Sequence, residues 1–408
     1  MKILLVTRGS QGDVYPYLAL AKKLQDRGHA VSLNIPLAFE KYAEATGVPY
    51  TTESDDIVGL VSNETLKFKD LLAWTGRVIK QQFEDLVPLV AQYDLFLASN
   101  TEFAAPSIAE YTNKPLIRTA YAPLLPSKKI MPAVIPLVTP NFFVRPVMMW
   151  ALINAGMNAM SKTQLNLGRR KLGMPPIKNQ AEHAPTHANN LLLCSPRLAE
   201  TDADWPYAWG VSGYCFNDEL PYEDDLLQRF TRFIQKDDKP TVFFSLGSIN
   251  GPLHKQLAEW LLSICRKHSY KLVVGSGWWR LGDNLEQKDD FFLLDGVVPH
   301  KLVMPQCAAT IHHGGSGTTH SAARSGKPQM VIPHVIDQHY WARRTKLLGL
   351  GPGALNIKKL TQARLEAAVL DVMNNPAYKK NAAAFGETIR AEEGLDNAAR
   401  YIENAVKQ

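Results

Sequence analysis

The chain has few cysteines and no apolar run long enough to cross a membrane. Its 408 residues include four cysteines, which lie far apart and form no CxxC pair. This spacing predicts neither a disulfide framework nor a cysteine zinc site, and it is typical of a reducing compartment. The apolar stretch at residues 146–161, which contains no charged residue, is shorter than the roughly 20 apolar residues of a spanning helix. The first residues lack the apolar run of a signal peptide. We therefore expect a soluble, cytoplasmic protein.

An excess of charge of one sign is also lacking. The chain has 45 lysines and arginines against 39 aspartates and glutamates, a net charge of +6. That excess is too small to predict a nucleic-acid partner. Hydrophobic residues make up 46% of the chain and charged residues 21%, which excludes a disordered, collagenous or coiled-coil protein. At about 150 residues per domain, the length predicts two or three domains.

Strand and helix signals alternate in two separate series. Residues 3–6 form an apolar run that leads through a glycine loop into a helix pattern and then a strand pattern at 30–35. This order indicates a parallel sheet. The first series continues with signals at 95–98, 104–111, 115–118 and 190–194. The second has strands at 241–248, 271–274, 291–294, 309–311 and 330–332 and a helix at 253–267.

The two series predict an α/β protein with two similar halves. We place the N-terminal domain at 1–210, a linker with one or two short helices at 211–239, and the C-terminal domain at 240–385, followed by a last segment at 386–408. In such folds a ligand binds at the carboxyl ends of the strands, so we expect it in the cleft between the halves.

A glycine-rich loop at residues 312–320 joins a strand to a helix. Glycines let the backbone approach a ligand closely, and the N–H groups at a helix N-terminus favour an anion such as phosphate. Ser316, Thr318 and Thr319 add hydroxyl donors, and His313 adds an imidazole. The loop has neither the Gly-Lys-Ser/Thr of a Walker A loop nor the spacing of a dinucleotide fingerprint. The alternative is a tight turn that caps the helix.

An acid and an amide, Asp337 and Gln338, follow the strand at 330–332. A carboxylate only accepts hydrogen bonds, whereas an amide both donates and accepts them, so the pair suits the hydroxyls of a sugar. The alternative is that Asp337 caps the following helix.

These segments resemble the signature of the inverting nucleotide-sugar glycosyltransferases of family 1, which have the GT-B fold. Residues 296–300, 312–319, 337–338 and Trp341 are similar in order and spacing to the donor-binding box of that family. Residues 9–16 are similar to the branch that contains sterol glucosyltransferases, glycopeptide-antibiotic glycosyltransferases and rhamnolipid rhamnosyltransferases.

The resemblance also implies an architecture. It implies two Rossmann-like domains that face each other across a cleft, the first for the acceptor and the second for the donor. It further implies that a helix within residues 386–408 packs back on the N-terminal domain. The likeness is weak from 50 to 200, where acceptors bind in this family.

The resemblance implies roles for individual residues of the donor site. His313 contacts the donor diphosphate, the backbone at Val298 pairs with the base, and Asp337 with Gln338 holds the sugar hydroxyls. Trp278 lines the nucleotide pocket, unless it belongs to the core. The implied donor residues are Gly247, Ser248, Trp278, Val298, His300, His313, Gly315, Ser316, Gly317, Thr318, Asp337 and Gln338, with Ser10 and Gly12 on the loop near the diphosphate.

The sequence departs from the plant members of the family at two positions. Plant members carry a tryptophan where this chain has Val297, so that stacking platform is absent and the base, uracil or thymine, stays open. They carry a catalytic histidine where this chain has Asp13, but the antibiotic and sterol branch also has aspartate there.

Inverting transfer needs a base that takes the proton of the acceptor hydroxyl. We predict Asp13, on the first glycine loop, as that base. The alternative is that Asp13 caps the helix, and a helix N-terminus lowers the basicity of a carboxylate. Glu102 follows the strand at 95–98, roughly where plant enzymes place an orienting acid, and we predict it as a helper.

No metal or other cofactor is predicted, because the nucleotide sugar is a co-substrate and the helix dipole, hydroxyls and His313 stabilise the leaving diphosphate. Residues 202–204 match the Asp-x-Asp metal motif of other glycosyltransferases by letter, and we interpret them as structural. His183 and His187 have helical spacing, but Pro185 between them argues against a helix.

Residues 131–160 are apolar, rich in methionine and interrupted by prolines. They are core, a lipophilic acceptor pocket, or a surface that touches a membrane. Basic residues flank the segment, which fits a peripheral membrane face, and a solvated helix face is the alternative. These basic residues are Lys128, Lys129, Arg145, Lys162, Arg169, Arg170 and Lys171.

We therefore predict an enzyme that transfers a hexose from a nucleotide sugar to a hydroxyl of a small lipophilic or aromatic acceptor, with glucose and UDP as first choices. The alternatives are a nucleotide-sugar epimerase and a nucleotide-sugar-binding protein without chemistry.

Overall fold

The computed structural model describes residues 1–53, 68–134, 144–249, 253–277, 280–285 and 288–406, without the side chains of Phe68 and Asp224. Its chain divides into two compact units, each built on a parallel sheet. The predicted pair of α/β domains is therefore confirmed. The first unit is Met1–Ala133, Val138–Asn217 and Glu393–Gln408, and the second is Val134–Leu137 and Asp218–Glu392.

The first unit has a seven-stranded sheet. Its strands are β1 Lys2–Val6, β2 Ala30–Pro36, β3 Tyr50–Glu53, β4 Leu95–Ser99, β5 Leu116–Ala120, β6 Asn189–Leu192 and β7 Trp209–Val211. All neighbours are parallel, in the order β3-β2-β1-β4-β5-β6-β7. The central strand β1 is apolar and buried from Ile3 to Val6, as expected of a parallel strand covered by helices on both faces.

Helices cover this sheet. They are α1 Gln11–Asp26, α2 Glu40–Thr46, α3 Phe68–Val90, α4 Ala105–Thr112, α5 Pro146–Lys171 and α6 Gln180–Thr186, with a 3-10 turn at Leu37–Phe39. The long helix α5 lies in the segment where strand signals fade. It begins at Pro146, a favoured first helical residue. It packs against α3, where Gly168 leaves room for the ring of Phe83.

The second unit has a five-stranded sheet. Its strands are β8 Thr241–Ser245, β9 Lys271–Gly275, β10 Phe291–Leu294, β11 Ala309–His312 and β12 Gln329–Val331. All neighbours are parallel, in the order β10-β9-β8-β11-β12. Its helices are α7 Asp224–Gln235, α8 His254–Lys267, α9 His300–Val303, α10 Ser316–Ser325, α11 Gln338–Leu347, α12 Gln362–Asn374 and α13 Pro376–Arg390, with 3-10 turns at Met304–Gln306 and Ile357–Lys359.

The segment expected to be a linker, residues 211–239, is not an exposed connection throughout. Helix α7 buries Leu226, Phe230 and Phe233 in a core cluster of the second unit. The short strand β7 also enters this range, because its last residue pairs with β6.

The last helix, α14 at Gly394–Ala405, packs against α1 of the first unit. Arg27 donates two hydrogen bonds, of 2.8 and 2.7 Å, to the carboxylate of Glu403. At Gly394 a Cβ would lie 2.3 Å from the carbonyl oxygen of Tyr214, so the helix start needs glycine. Across the described residues, no helix is long and apolar enough to span a bilayer.

Candidate functional site

The loop between β1 and α1 holds the carboxylate of Asp13 in place. The backbone N–H of Ser10 donates to Oδ2 of Asp13 at 2.8 Å, and the Ser10 hydroxyl reaches the same oxygen at 3.2 Å. Gly9 has a φ of +136°, and a Cβ there would lie 2.3 Å from this oxygen. The capping contact considered for Asp13 therefore exists, and Gly9 is required for it. Gly12 follows in the first turn of α1.

Two tyrosines lie around the turn that carries Asp13. The hydroxyl of Tyr121 donates to the main-chain oxygen of Asp13 at 2.7 Å. The hydroxyl of Tyr17 is 2.7 Å from that of Thr119. Burial raises the pKa of Tyr17, and the charges of Glu102 and Asp13 raise it further. Both acids therefore lie near one buried hydroxyl.

Glu102 is buried in a charged cluster and is 2% exposed. Its Oε2 accepts a hydrogen bond of 2.7 Å from the Gln82 amide, and its Oε1 lies 3.5 Å from Nε of Arg8. Arg8 is 1% exposed and also forms an ion pair with Glu53. One buried cation thus holds two carboxylates. This geometry gives Glu102 a structural task, whatever its part in the chemistry.

In the second unit, the strand order reverses at β8. Strands β8 and β11 are neighbours in the sheet. The chain continues from β8 to β9 on one side of this pair and from β11 to β12 on the other side. Open α/β sheets bind ligands at such a point. The loops that leave the carboxyl ends of β8, β11 and β12 contain Gly247 with Ser248, the glycine loop, and Asp337. The residues predicted to form the donor site are therefore concentrated at this end of the sheet.

His312 shapes the glycine loop from within. Its Nε2 lies 2.9 Å from Oε1 of Gln329, and its Nδ1 accepts the backbone N–H of Gly314 at 3.1 Å. Burial lowers the pKa of His312 to about 4, so the ring is neutral near pH 7. Gly314 has a φ of +92°, and a Cβ there would lie 2.5 Å from Val331, so the turn requires glycine.

His313 is held between two glycines. A Cβ at Gly315 would lie 2.5 Å from Nε2 of His313, and a Cβ at Gly247 would lie 2.8 Å from its Cε1. Burial lowers the pKa of His313 to about 3, with further lowering from His312 and His334 and an opposing effect of the Ser245 backbone. The imidazole is therefore neutral near pH 7 and offers one N–H donor.

Helix α10 starts directly after these glycines, with Gly315 as its N-cap. The first N–H groups of a helix have no intrahelical acceptor, and the helix dipole is positive at this end. Ser316, Gly317 and Thr318 form this first turn. The arrangement can bind a phosphate through backbone donors and the hydroxyls of the turn.

Asp337 and Gln338 begin helix α11. Oδ2 of Asp337 accepts a hydrogen bond of 2.9 Å from the indole nitrogen of Trp341. Burial raises the pKa of Asp337 to about 6, although this hydrogen bond lowers it. Oε1 of Gln338 accepts the backbone N–H groups of His334 at 2.8 Å and Val335 at 3.1 Å. The carbonyl of Gln338 is therefore used by its own loop, and its amide nitrogen is the group that remains for a ligand.

The loop before Asp337 contains a strained residue. Ile336 is β-branched, has a φ of +50° and is 61% exposed. This backbone region is costly for such a side chain, and strain of this kind clusters at ligand sites.

Val298 and His300 have different environments. The carbonyl of Val298 accepts the N–H of His300 at 2.9 Å, and a Cβ at Gly275 would lie 3.2 Å from Cγ2 of Val298. The His300 ring packs edge-on against Phe243 at 5.9 Å, and burial lowers its pKa to about 4. The ring of His300 thus contacts one core residue, and the residue itself is half-buried. Trp278, implied to line the nucleotide pocket, lies outside the described residues.

Of the histidine pair that was not expected on a helix, His183 lies on α6 and His187 is its C-cap. Pro185 was expected to prevent that helix, and this was wrong, because α6 runs through Pro185 and ends one residue later. Within the described chain, Glu110, His183 and His187 bring three potential metal-ligand atoms within 4.8 Å of one another. Glu110 also binds Arg169 through hydrogen bonds of 2.7 and 3.2 Å, so its charge already has a partner.

The Asp-x-Asp sequence at 202–204 has structural contacts. Asp202 accepts the Ser127 hydroxyl at 2.5 Å and the N–H of Asp204 at 3.1 Å. Asp204 forms an ion pair with Lys129. These contacts support the structural interpretation of the motif.

Sequence reasoning missed four residues that build these sites. The motif includes Trp341, but sequence reasoning did not predict its hydrogen bond to Asp337. The signal was the separation of four residues, which on a helix indicates contact. His312 shapes the turn beside His313, and Gly9 makes room for Asp13. A cation directly after a buried strand was the available signal for Arg8.

Models of two protein families match the chain. Residues 3–123 match the glycosyltransferase family 28 N-terminal domain. Residues 286–399 match the erythromycin biosynthesis protein CIII-like C-terminal domain. The first match lies in the first unit, and the second lies in the second unit except for its last residues, 393–399.

The chain is also similar to individual proteins. It is 30% identical over 419 residues to the glycosyltransferase GtfC of Amycolatopsis orientalis, with 100% of this chain and 98% of GtfC covered. It is 26% identical over 418 residues to a sterol 3-beta-glucosyltransferase of Arabidopsis thaliana, with 97% of this chain covered. It spans 66% of that relative's length, less than two thirds. The structure of the glycosyltransferase VinC, in complex with dTDP, matches with a TM-score of 0.71 at 18% identity, over 100% of both chains.

Proposed function

Since the chain belongs to the family-1 glycosyltransferases of the GT-B fold, in the branch with sterol and antibiotic glycosyltransferases, we propose that it transfers a hexose from a nucleotide sugar to a small acceptor. In this proposal the donor is a UDP-sugar, the sugar is glucose, and the acceptor offers a hydroxyl on a lipophilic or aromatic molecule. The transfer inverts the anomeric carbon.

The observation that carries the proposal is the donor end of the second sheet. A neutral buried imidazole, the first turn of α10 and the Asp337–Gln338 pair all follow neighbouring strands. The imidazole and the helix N-terminus suit a diphosphate, which leaves with negative charge, and the acid–amide pair suits sugar hydroxyls. Gly247 and Gly315 leave room for the ring of His313, whose N–H group is a hydrogen-bond donor in support of this proposal.

We propose Asp13 as the base. The carboxylate attacks no atom itself, but accepts the proton of the acceptor hydroxyl as that oxygen bonds to the anomeric carbon. As the new bond forms, the bond from that carbon to the diphosphate oxygen breaks, and its electron pair leaves with the diphosphate. The contacts from Ser10 and the helix N-terminus hold the carboxylate, and they also reduce its basicity. A general base of this kind contributes about 10²–10⁴-fold to the rate.

Charge on the leaving diphosphate is stabilised in this proposal by His313 and α10, without a metal ion. Turnover in EDTA should equal turnover in buffer alone. A loss of turnover in EDTA that a divalent ion restores would contradict this part of the proposal.

The main experiment identifies the reaction products. The full chain is incubated with UDP- and dTDP-sugars and with sterol, flavonoid, lipid and polyketide acceptors, and products are identified by mass spectrometry and NMR. We expect a β-linked glycoside from an α-linked donor. An epimerised nucleotide sugar formed without acceptor would identify an epimerase. Donor binding without any product would identify a binding protein.

A second experiment tests the base. Asp13→Asn should lower kcat by about 10²-fold or more and leave the donor Kd within about twofold, because the base acts on the acceptor. Asp26→Asn, at the other end of the same helix, is the matched control, because its exposed carboxylate forms an ion pair with Lys22 on the same helix. Lost donor binding, or unchanged turnover, in Asp13→Asn would rule out the assignment.

A further inference from the structure

Helix α5 exposes apolar side chains on its outer face. Leu152 is 63% exposed, Val147 54% and Met148 53%. Ala151, Ala155 and Ala159 are also exposed, and no charged residue occurs from Pro146 to Ser161. The opposite side of α5 is buried, with Trp150 and Leu165 among its core residues. A helix at a protein surface normally turns a polar face outward, so this apolar face needs an explanation.

The exposed apolar residues form a stripe that ends at a cation on each side. With 3.6 residues per turn, Arg145, Leu152 and Arg170 share one side of the helix axis. Met148, Ala155 and Ala159 fall between them on that side. We call this surface the α5 stripe, defined by Arg145, Met148, Leu152, Ala155, Ala159 and Arg170.

The sequence around α5 is strongly basic. From Tyr111 to Ala181 the chain has ten lysines and arginines and no aspartate or glutamate. The remainder of the chain has 35 basic and 39 acidic residues. Positive charge is therefore concentrated in one segment. Among the cations of this segment that form no ion pair with a described residue, four lie on or just after α5: Lys162, Arg170, Lys171 and Lys178.

We propose that the α5 stripe binds the surface of an anionic lipid bilayer, with α5 lying parallel to the membrane plane. Apolar side chains at the interface enter the boundary between headgroups and acyl chains, and lysines and arginines beside them attract anionic lipids. The stripe combines both features on one helix. The proposal goes beyond the transfer reaction and does not depend on it.

The charges favour a bilayer over a second copy of this chain. The basic residues lie at both ends of the stripe, so pairing two stripes in either direction would bring like charges together. A lipid surface with negative headgroups instead attracts these cations, including Arg170 and Lys171 at the C-terminal end of the stripe. The segment from Tyr111 to Ala181 has no acidic residue that such a surface would repel.

Vesicle binding of the full chain tests the proposal. Sedimentation is compared for vesicles of phosphatidylcholine alone and of phosphatidylcholine with about 30% phosphatidylglycerol. We expect binding about tenfold tighter or more to the anionic vesicles, weakened by raising NaCl from about 0.1 to 0.5 M, because salt screens the cations. Equal binding to both vesicles, or none to either, would overturn the proposal.

Substitutions locate the binding surface. Leu152→Glu should weaken anionic-vesicle binding about 30-fold, because it removes an inserted apolar group and adds repulsion. The double change Arg170→Gln with Lys171→Gln should weaken it about tenfold. Leu347→Glu is the matched control, since Leu347 is 62% exposed on the second unit. Equal effects of the Leu152 and Leu347 changes would contradict the location.

Two further measurements distinguish membrane binding from misfolding and from self-association. Thermal unfolding of each variant checks folding, which these exposed changes should leave intact. Light scattering at several concentrations detects a second copy, and a dimer that Leu152→Glu dissociates would overturn the proposal in favour of self-association. Turnover on a water-soluble acceptor should stay unchanged in the double variant Arg170→Gln with Lys171→Gln, so failure of membrane binding is distinguishable from failure of the transfer reaction.

Discussion

The indole nitrogen of Trp341 donates a hydrogen bond of 2.9 Å to Oδ2 of Asp337, one helical turn earlier. The bond fixes the carboxylate at the start of α11 and uses one of its two oxygens. Oδ1 and the amide nitrogen of Gln338 are then the groups of this pair that the proposed donor site would use for a sugar. The same position removes the carboxylate of Asp337 partly from water. This burial raises its pKa to about 6.

Asp337→Asn should separate donor binding from stability. The donor KM should rise about tenfold or more at pH 7.5, because an amide replaces the ionised acceptor of sugar hydroxyls. In the wild-type chain the donor KM should also rise as the pH falls through about 6, and in the variant it should not. Steady-state kinetics from pH 5 to 8 measure both effects. A parallel pH dependence in the two proteins would contradict the role of Asp337.

The same substitution should stabilise the fold above pH 6. The folded carboxyl has a higher pKa than the unfolded one, so the folded state binds the proton more tightly, and stability falls as the pH rises from about 4 to about 6. Asparagine does not ionise, so the variant does not lose stability as the pH rises through this range. Its side-chain oxygen can still accept the hydrogen bond from Trp341. We expect a gain of about 1 kcal/mol at pH 7, since the side chain is only partly buried. Urea unfolding measures it.

Gly315→Ala should displace the imidazole of His313. The added Cβ would lie 2.5 Å from Nε2, which is closer than any normal contact. The donor KM should rise about tenfold, with a smaller effect on the acceptor KM, because the proposed role of His313 concerns the diphosphate. Gly353→Ala is the control, since its nearest neighbour, in Lys346, would be at an ordinary 3.5 Å. Equal changes in both KM values would argue against the phosphate role.

Glu102→Gln should lower stability more than turnover. Arg8 is almost fully buried, and the substitution removes the negative charge of one carboxylate beside it. We expect a loss of about 2–4 kcal/mol in the free energy of unfolding, with kcat within about threefold. Glu84→Gln, an exposed change on α3, should cost less than about 0.5 kcal/mol. A large fall in kcat with a shifted pH profile and unchanged stability would instead identify Glu102 as a helper of the base.

The second unit should lose stability before the first as the pH falls. Burial lowers the pKa of seven of its histidines, which stay neutral in the fold but accept protons when unfolded: His254, His300, His312, His313, His320, His334 and His339. Their stabilising effect is present above the unfolded pKa of about 6.5 and is lost as the pH falls towards 4.

Hydrogen exchange of the full chain from pH 7 to 4 tests this order, after correction for the intrinsic pH dependence of exchange. Amides of β8, β11 and α10 should lose protection at a higher pH than those of β1 and β4. In the first unit, only His183 has a lowered pKa among the described histidines whose pKa is shifted. Simultaneous loss of protection in both units would contradict the prediction.

The apolar runs predicted most strands of both sheets, because parallel strands covered on both faces are apolar along their whole length. Buried runs such as residues 3–6 and 241–245 therefore stand out. The edge strands β3 and β7 were not predicted, since they are short and mostly polar or half-exposed. The prediction that Pro185 prevents a helix was wrong, because a proline near the end of a short helix removes only one internal hydrogen bond.

The site could be predicted only in part. Glycines and hydroxyls next to a strand indicate a phosphate loop, so residues 312–319 were found from local sequence. The contacts of Arg8 with Glu53 and Glu102 join positions far apart in the chain, and no local pattern predicts them. His300 was assigned to the donor from its motif, and this role stays a prediction; the motif did not indicate the edge-on contact of its ring with Phe243.

The return of α14 to the first unit makes the second unit an insertion in the chain. Apart from Val134–Leu137, the second unit is one continuous stretch, Asp218–Glu392, whereas the first is assembled from stretches on both sides of it. The donor half can therefore be exchanged as a single cassette with two junctions, near residues 217 and 393. An exchange that replaced everything after residue 217 would remove the partner of α1, including Glu403, and would damage the half that it was meant to leave unchanged.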